Sequence, residues 1–433
     1  MSELKFDFSW RDAPGSPDPA ILHTMAELRI RVDGEVVTRI FDGKSRSDRD
    51  SVFVALYPLA EWIVANWWPL LEENLAPRRE DRQAFVARHC MYGAGDGFAL
   101  PMLTIIPEGE IVLLQWKGCV LKRQPVEFLS AGTARVSWEC LRSALSDLVE
   151  AVLARLSIYK IEDSWLAQEW QALNELDEEQ ENFCRAAACL GLDPFDLSQA
   201  DRGSIIRAAE ILPPGLAEDV FRSVSPMTLG PASDWVRLAV SSLNQDSSTP
   251  LADLQPIREA LGNPGPAAPW EQGYQMARQL RRRMGLSQEP PVSLERILGE
   301  HSPLIHSQTP RGFNLDGVVK NMGGKSFRCY TGKVGRESSQ FLLARAICAY
   351  IESGGDDMTV LSGAITQRQK RNRAFAAELL APAEAIEKRI GSNLVNFEDV
   401  EEIGREFCVS SYVIAHQIEN HGLGTIVGSS GLP

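Results

Sequence analysis

The sequence predicts a multidomain α+β protein, and three observations support this class. Two hairpin patterns lie within the first 120 residues, helical patterns dominate the middle of the chain, and a mixed series of helices and strands follows from residue 270. At 433 residues the chain is longer than one ordinary domain of roughly 100–200 residues. We therefore expect an N-terminal α+β domain, a helical middle and a C-terminal α+β lobe.

The N-terminal α+β domain is predicted to cover residues 1–155. Residues 26–41 alternate apolar and polar side chains around Asp33-Gly34, a dipeptide that favours a tight hairpin turn. Residues 98–117 predict a second hairpin, with its turn at 107–109. Between the two hairpins, the run 50–73 has the length of a helix, and we expect its aromatic pair Trp67-Trp68 to be core.

The rest of the chain is predicted to form two further regions joined by a connector. Residues 156–242 have a helical pattern, and residues 243–269 are dense in Ser, Pro and Gly, as is typical of an interdomain linker. A basic amphipathic helix then opens the region 270–427. We place the main domain boundary in the connector.

The charge balance constrains the partners. A formal net charge of -14 disfavours nucleic-acid binding over the whole surface, because the summed field repels phosphates. Nucleic acid stays possible through two local clusters, at 278–283 and 368–373, but is not favoured. The N-terminus lacks a basic start and no segment reaches about 18 consecutive apolar residues, so we expect a cytoplasmic protein without a membrane partner.

The region after residue 270 has a recognisable order of elements. Two short strands, around GFNLDGVVK and KSFRCYTG, precede the helix SSQFLLARAICAYIES and the helix RQKRNRAFAAELLAPAEAI. Over about 270–425 this series resembles the ImmA/IrrE-like zinc metallopeptidases, and FAAELLAP at 375–382 is the most specific match. The resemblance implies a metallopeptidase-like lobe followed by a helix-turn-helix-like tail. It does not cover the N-terminal 240 residues.

The resemblance also identifies the positions where the chemistry would lie. The family's first of these helices carries F-T-L-A-H-E-L-G-H-Y, in which two histidines one turn apart bind zinc and the glutamate is the general base. The corresponding residues here are Arg345, Ala346 and Ala349, and Gln369 stands where the family has its third ligand, a glutamate. None of the four provides the family's function, so we expect no catalytic residue, no metal site and no cofactor.

Arg345 and Gln369 remain as candidate ligand-binding residues at this degenerate site. Arg345 could hold a ligand carboxylate through two parallel hydrogen bonds, or it could pair with an internal acid such as Glu352 or Glu378. The last predicted helix, 410–420, contains no Arg or Lys, so we expect it to pack on the core rather than bind DNA.

These observations predict a catalytically inactive metallopeptidase-like protein that acts as a scaffold or sensor for a protein or peptide partner. By analogy with the family, its setting would be bacterial regulation or phage defence. Two alternatives stay open: a DNA-binding regulator, and an enzyme with an unrecognised activity in the N-terminal 240 residues. The sequence carries no signal for an oligomeric state.

Overall fold

The computed structural model describes residues 3–12, 16–75, 79–95, 97–121, 125–245, 251–261, 267–287, 290–307, 314–353, 357–391 and 393–428. The chain divides into two compact units, Met1–Arg202 and Gly203–Pro433, here called the first and second units. Both units contain helices and small, mainly antiparallel sheets. The predicted multidomain α+β class is confirmed.

The elements of the first unit are β1 (Leu4–Trp10), α1 (Pro19–His23), β2 (Met25–Val32), β3 (Glu35–Val36), β4 (Ile40–Asp42), β5 (Ser47–Arg49), β6 (Val52–Ala55), α2 (Leu56–Ala65), α3 (Trp67–Glu72), α4 (Arg79–His89), a 3₁₀ helix (Met91–Gly95), β7 (Met102–Pro107), β8 (Ile111–Lys117), β9 (Cys119–Val120), β10 (Val126–Phe128), β11 (Gly132–Ser137), α5 (Trp138–Ile158), α6 (Trp165–Asn174) and α7 (Glu178–Cys189). Helix α8 (Gln199–Ile211) crosses the division between the units.

Both predicted hairpins are present in the first unit. Strands β2 and β3 pair across Asp33 and Gly34, whose φ angles of 52° and 85° are the left-handed values that this turn requires. Strands β7 and β8 pair in register from Met102 opposite Lys117 to Pro107 opposite Val112. The strand orders are β1-β2-β3 with β6 beside β2, β5-β4-β10-β9, and β11-β8-β7.

The predicted helix at 50–73 is wrong at its start. Residues 52–55 form strand β6, which pairs with β2. Val52 and Val54 lie on the buried face of this strand. Alternating β-branched residues fit a pleated strand better than a helix, and pairing with β2 satisfies their backbone groups. The helical part begins at Leu56. Trp67 and Trp68 are buried in the core, as predicted.

The elements of the second unit are α9 (Pro214–Phe221), a 3₁₀ helix (Pro226–Thr228), α10 (Leu229–Asn244), α11 (Gln255–Leu261), α12 (Pro269–Met284), α13 (Glu295–Leu298), β12 (Leu304–His306), β13 (Leu315–Met322), β14 (Ser326–Thr331), α14 (Arg336–Glu352), β15 (Met358–Ser362), α15 (Gln367–Leu380), α16 (Ala383–Glu387), β16 (Leu394–Asn396), α17 (Phe397–Phe407), α18 (Ser411–Asn420) and β17 (Thr425–Val427). Its main sheet has the order β12-β14-β13-β15.

Helices α12, α14 and α15 pack together beside this sheet and position the site described below. Helices α12 and α15 approach each other closely at Gly273. A Cβ atom there would lie 2.4 Å from the carbonyl oxygen of Arg371, so a larger residue would force the helices apart. The two helices therefore hold their side chains at fixed positions relative to each other.

The structure divides the chain at a different place from the predicted connector. The helical region 156–242 is shared between the units, and part of the connector belongs to the core of the second unit. Leu254, Ile257 and Leu261 are buried there, on and just before helix α11. Their spacing of three and four residues gives the segment one apolar face, which outweighs its surrounding Ser and Pro. Residues 246–250 and 262–266 of the connector lie outside the described residues.

The tail of the second unit is a pair of helices, α17 and α18. The turn between them contains Cys408, which has a left-handed φ of 58°. Val413, Ile414 and Ile418 of α18 are buried in the core, so this helix packs as its lack of Arg and Lys had indicated. Among the described residues, no helix combines the length and the apolar composition that a membrane span requires.

Candidate binding site

A cavity of about 780 Å³ opens in the second unit beside Arg345. Side chains from α12, α14, α15 and α18 form most of its wall, together with the ends of β13 and β15. Of the two predicted site residues, Arg345 lines this cavity. Gln369 is completely buried behind the wall, so the structure brings the two residues together but exposes only one to a ligand.

Arg345 lies in the middle of α14 and is only 3% exposed. Its Nη1 donates to Asp316 Oδ2 at 2.5 Å, and its Nε donates to Asn372 Oδ1 at 2.9 Å. Its Nη2 donates both to the Ser362 carbonyl oxygen and to Gln369 Oε1, each at 2.7 Å. All three guanidinium nitrogens are thus engaged by groups from β13, β15 and α15. We call Arg345 and these four acceptor residues the Arg345 network.

Gln369 connects α15 to strand β15 through hydrogen bonds of its side-chain amide. Its Nε2 donates to the Val360 carbonyl oxygen at 2.6 Å, and its Oε1 accepts from the Ser362 backbone N–H at 3.1 Å as well as from Arg345. Both ends of the amide are therefore used in holding the wall of the cavity. The expectation that Gln369 binds a ligand does not fit its complete burial, and its role here is to position Arg345.

The counterion of Arg345 is Asp316, which the sequence analysis did not identify. The register of β13 against β15 shifts between Leu315 and Gly317, so Asp316 is the extra residue of a β-bulge. A bulge re-aims its side chain, and here the carboxylate is directed at Arg345. Sequence-based reasoning named Glu352 and Glu378 as the internal acids, but these pair with Arg371 and Arg278 instead.

Asp316 also contacts Lys333, whose Nζ lies 2.8 Å from Oδ1. Burial alone would raise the pKa of Asp316, but the charges of Arg345 and Lys333 outweigh it, and the pKa lies below the usual value of 3.8. Burial lowers the pKa of Arg345, and the neighbouring carboxylate opposes that shift. Because the interaction with Asp316 stabilises both charges, we treat the two residues as a buried ion pair.

The side chains of Arg345, Ala346, Ala349 and Gln369 do not fit a zinc ion. Arg345 contributes a cation, Ala346 and Ala349 contribute only buried methyl groups, and Gln369 has no free lone-pair donor left after its internal hydrogen bonds. Zinc requires deprotonated thiol, neutral imidazole or carboxylate ligands. In the part of the chain that the structure describes, no group of three or more His, Cys, Asp and Glu is placed to hold a metal.

Arg373 is a second arginine of the cavity wall. It lies on α15 one turn after Gln369, and its Nη1 donates to the Ser362 carbonyl oxygen at 3.1 Å. Two guanidinium groups, those of Arg345 and Arg373, therefore share one carbonyl oxygen. Burial and the charge of Arg345 lower the pKa of Arg373 to about 10, which still leaves it a cation at neutral pH. The helical spacing from Gln369 was the available signal for this residue.

The two basic clusters noted in the sequence are largely used inside the protein. In the first, Arg278 pairs with Glu378, and Arg281 is buried with hydrogen bonds to two backbone carbonyls. In the second, Arg368 pairs with Asp219 and Arg371 with Glu352. These internal contacts take up four cations of the two clusters, whereas Arg282 and Arg283 of the first are exposed.

The six histidines lie apart from any shared catalytic or metal-binding arrangement within the described residues. His89 is completely buried, and its ring nitrogens contact the Ile105 carbonyl oxygen at 2.8 Å and Glu73 at 3.1 Å. His421 lies 3.7 Å from the buried carboxylate of Glu378. These contacts agree with the interpretation of the histidines as structural residues.

Comparisons with known proteins identify no relative of this chain. No family model, no curated protein and no solved structure matches this chain.

Proposed function

We propose that the second unit is a binding module that holds a segment of a peptide or partner protein in the cavity beside the Arg345 network. The observation that carries the proposal is the contrast between the two neighbouring regions. The position that corresponds to the family's metal is filled by Arg345 and its four acceptors, whereas a volume of about 780 Å³ next to it stays open. A cavity of this size lies within the range of ligand-binding pockets.

The side chains of the cavity wall support a protein or peptide ligand. Trp270, Tyr274, Phe341, Tyr412 and Arg373 all line the cavity. Tryptophan, tyrosine and arginine are the residue types enriched at the centres of protein interfaces, because they combine a large contact area with a polar group. Tyr412 is 51% exposed, so one aromatic ring of this set lies open to a partner.

Hydrolysis is disfavoured by the same residues. A metal-dependent peptidase needs a ligand set and a base near the scissile bond, and Arg345, Ala346, Ala349 and Gln369 offer neither group. The chemistry of these four side chains therefore supports the proposed binding role over metal-dependent hydrolysis. The regulatory or phage-defence setting rests on the family resemblance and remains a prediction.

The proposal is tested with a variant that fills the cavity. Ala377 is a small residue of the wall on α15, and Ala377→Phe would occupy part of the open volume. Ala260→Phe, on the exposed face of α11, is the matched control. Proteins captured from the native host by the wild type and the control should be lost with Ala377→Phe.

Hydrogen exchange then locates the contact. We expect the captured partner to slow exchange in α12, α15 and α18, which are helices of the cavity wall. Circular dichroism should show that both variants are folded. A partner that binds Ala377→Phe as well as it binds the wild type would overturn the proposal. If the wild type captures nucleic acid, identified by its loss on nuclease treatment, the DNA-binding alternative would be supported instead.

A further inference from the structure

The cations of the cavity wall differ in how many hydrogen bonds they already make. Arg345 is fully engaged by its network, and Lys333 contacts Asp316. Arg373 makes a single hydrogen bond with the described residues, from Nη1 to the Ser362 carbonyl oxygen. A guanidinium carries five N–H donors. Arg373 therefore presents most of its hydrogen-bonding capacity to the cavity.

The local charge also favours an anion. Four cations line the cavity, Arg345, Arg373, Lys333 and Lys370, against the two carboxylates of Asp316 and Glu337, although the whole chain has a net charge of -14. Half-buried charges are screened less by solvent than surface charges, so this local positive excess acts strongly on a bound group. A ligand carboxylate beside Arg373 would compensate part of this positive charge.

We propose that the ligand presents a carboxylate to the cavity and that Arg373 is the residue that grips it, an inference that rests on the proposed peptide-binding function. A planar guanidinium with free N–H groups matches the two oxygens of a carboxylate and can form two parallel hydrogen bonds. Phosphopeptide sites use clusters of arginines with free donors. Here the neighbouring guanidinium of Arg345 is already engaged, so a single free guanidinium favours the carboxylate.

The carboxylate has two possible sources in a peptide, an Asp or Glu side chain and the C-terminal carboxyl group. The experiment separates them with two libraries of random eight-residue peptides, one with free C-termini and one with amidated C-termini. Both libraries are selected on the full-length wild type, on Arg373→Gln and on Arg282→Gln. Arg282 is an exposed arginine of α12 that does not line the cavity, so its variant is the control with the same change in charge.

We expect wild type and Arg282→Gln to enrich the same peptides, with either an acidic side chain or a free C-terminus required, and Arg373→Gln to bind these peptides about 10- to 100-fold more weakly. If only the free library enriches, the C-terminal carboxylate is the ligand group. If both libraries enrich Asp or Glu at a fixed position, the group is a side chain. Thermal unfolding of Arg373→Gln near that of the wild type shows that the loss is one of binding.

The outcomes that contradict the inference differ from those that contradict the proposed function. Peptides that are lost with Ala377→Phe but need neither an acidic side chain nor a free C-terminus, or that bind Arg373→Gln unchanged, would show that the cavity binds peptides without this anchor. Failure of any peptide to enrich on the wild type, or enrichment that Ala377→Phe leaves intact, would remove peptide binding at the cavity and the inference with it.

Discussion

Neutralising Asp316 tests whether the Arg345 network holds the second unit together. Asp316→Asn keeps the shape of the side chain but removes the counterion of a guanidinium that is only 3% exposed. Arg345 would retain acceptors at Asn372, Ser362 and Gln369, all of them neutral. Removing one partner of a buried ion pair typically costs about 3–5 kcal/mol, because the remaining charge stays buried without compensation. We expect a loss of unfolding free energy in this range.

Removing the other partner should cost less. In Arg345→Met, Asp316 keeps Lys333 at 2.8 Å, and Gln369 Oε1 keeps the Ser362 N–H. Asp316 Oδ2 also loses its donor, but its carboxylate keeps the charge of Lys333, whereas Asn372 Oδ1 loses its hydrogen bond with nothing else among the described residues to replace it. An unsatisfied buried acceptor costs about 1–3 kcal/mol. The difference between the two single variants follows from Lys333, which compensates only the acid.

The double variant Asp316→Asn/Arg345→Met measures the coupling. With no cation left uncompensated, its cost should fall short of the sum of the single variants by about 1.5–3 kcal/mol. The assay is native-state hydrogen exchange at increasing urea, followed on peptides from α14 and α15, which reports the second unit separately. Asp234→Asn, which breaks an exposed pair with Arg237, is the control and should change stability by less than about 1 kcal/mol. Additive costs, or a cost for Asp316→Asn no larger than that of the control, would refute the reasoning.

Three further predictions follow. The pKa of Asp316 is lower in the folded protein than its usual 3.8. Its contribution to stability is therefore complete above about pH 4 and is lost as pH falls through the folded pKa. Acid unfolding should show this loss in the wild type but not in Asp316→Asn. Elemental analysis of protein purified without chelators should find no stoichiometric zinc in the second unit; one zinc per chain that Arg345→Met abolishes would contradict this. Limited proteolysis should spare 255–261, because Leu254, Ile257 and Leu261 are buried, and early cleavage inside α11 would show that this helix does not pack on the core.

The sequence predicted the second unit better than the first because its helices carry strong local signals. Helix α12 has a wide apolar face and ends at Gly285, which adopts the left-handed conformation of a C-terminal cap. The turn at Gly323-Gly324 between β13 and β14 is equally local. In the first unit, β1 pairs with β2 over its full length. The alternation of Leu4, Phe6 and Phe8 is the sequence signal for this strand, which is not among the strands predicted above. The signal was present but short.

The partner of Arg345 could not be read from helical spacing. Glu352 is seven residues from Arg345 on the same helix and was therefore the natural local candidate. Asp316 is 29 residues away in the chain, and only the bulge in β13 brings its carboxylate to α14. A lone acid between Leu315 and Gly317, next to Val318 and Val319, was still informative, since a buried carboxylate requires a cation.

The position of Arg345 also explains how the wall of the cavity is held in place. A small apolar residue at 345 would have left Asp316, Asn372 and Gln369 without their common donor, and Asn372 Oδ1 would then have needed water. The guanidinium satisfies all three from one side chain and ties α14 to β13, β15 and α15. These contacts hold the wall in place. Arg373 lies one turn beyond Gln369 on α15 and lines the cavity with a single hydrogen bond to the described residues, so the proposed carboxylate contact depends on this arrangement.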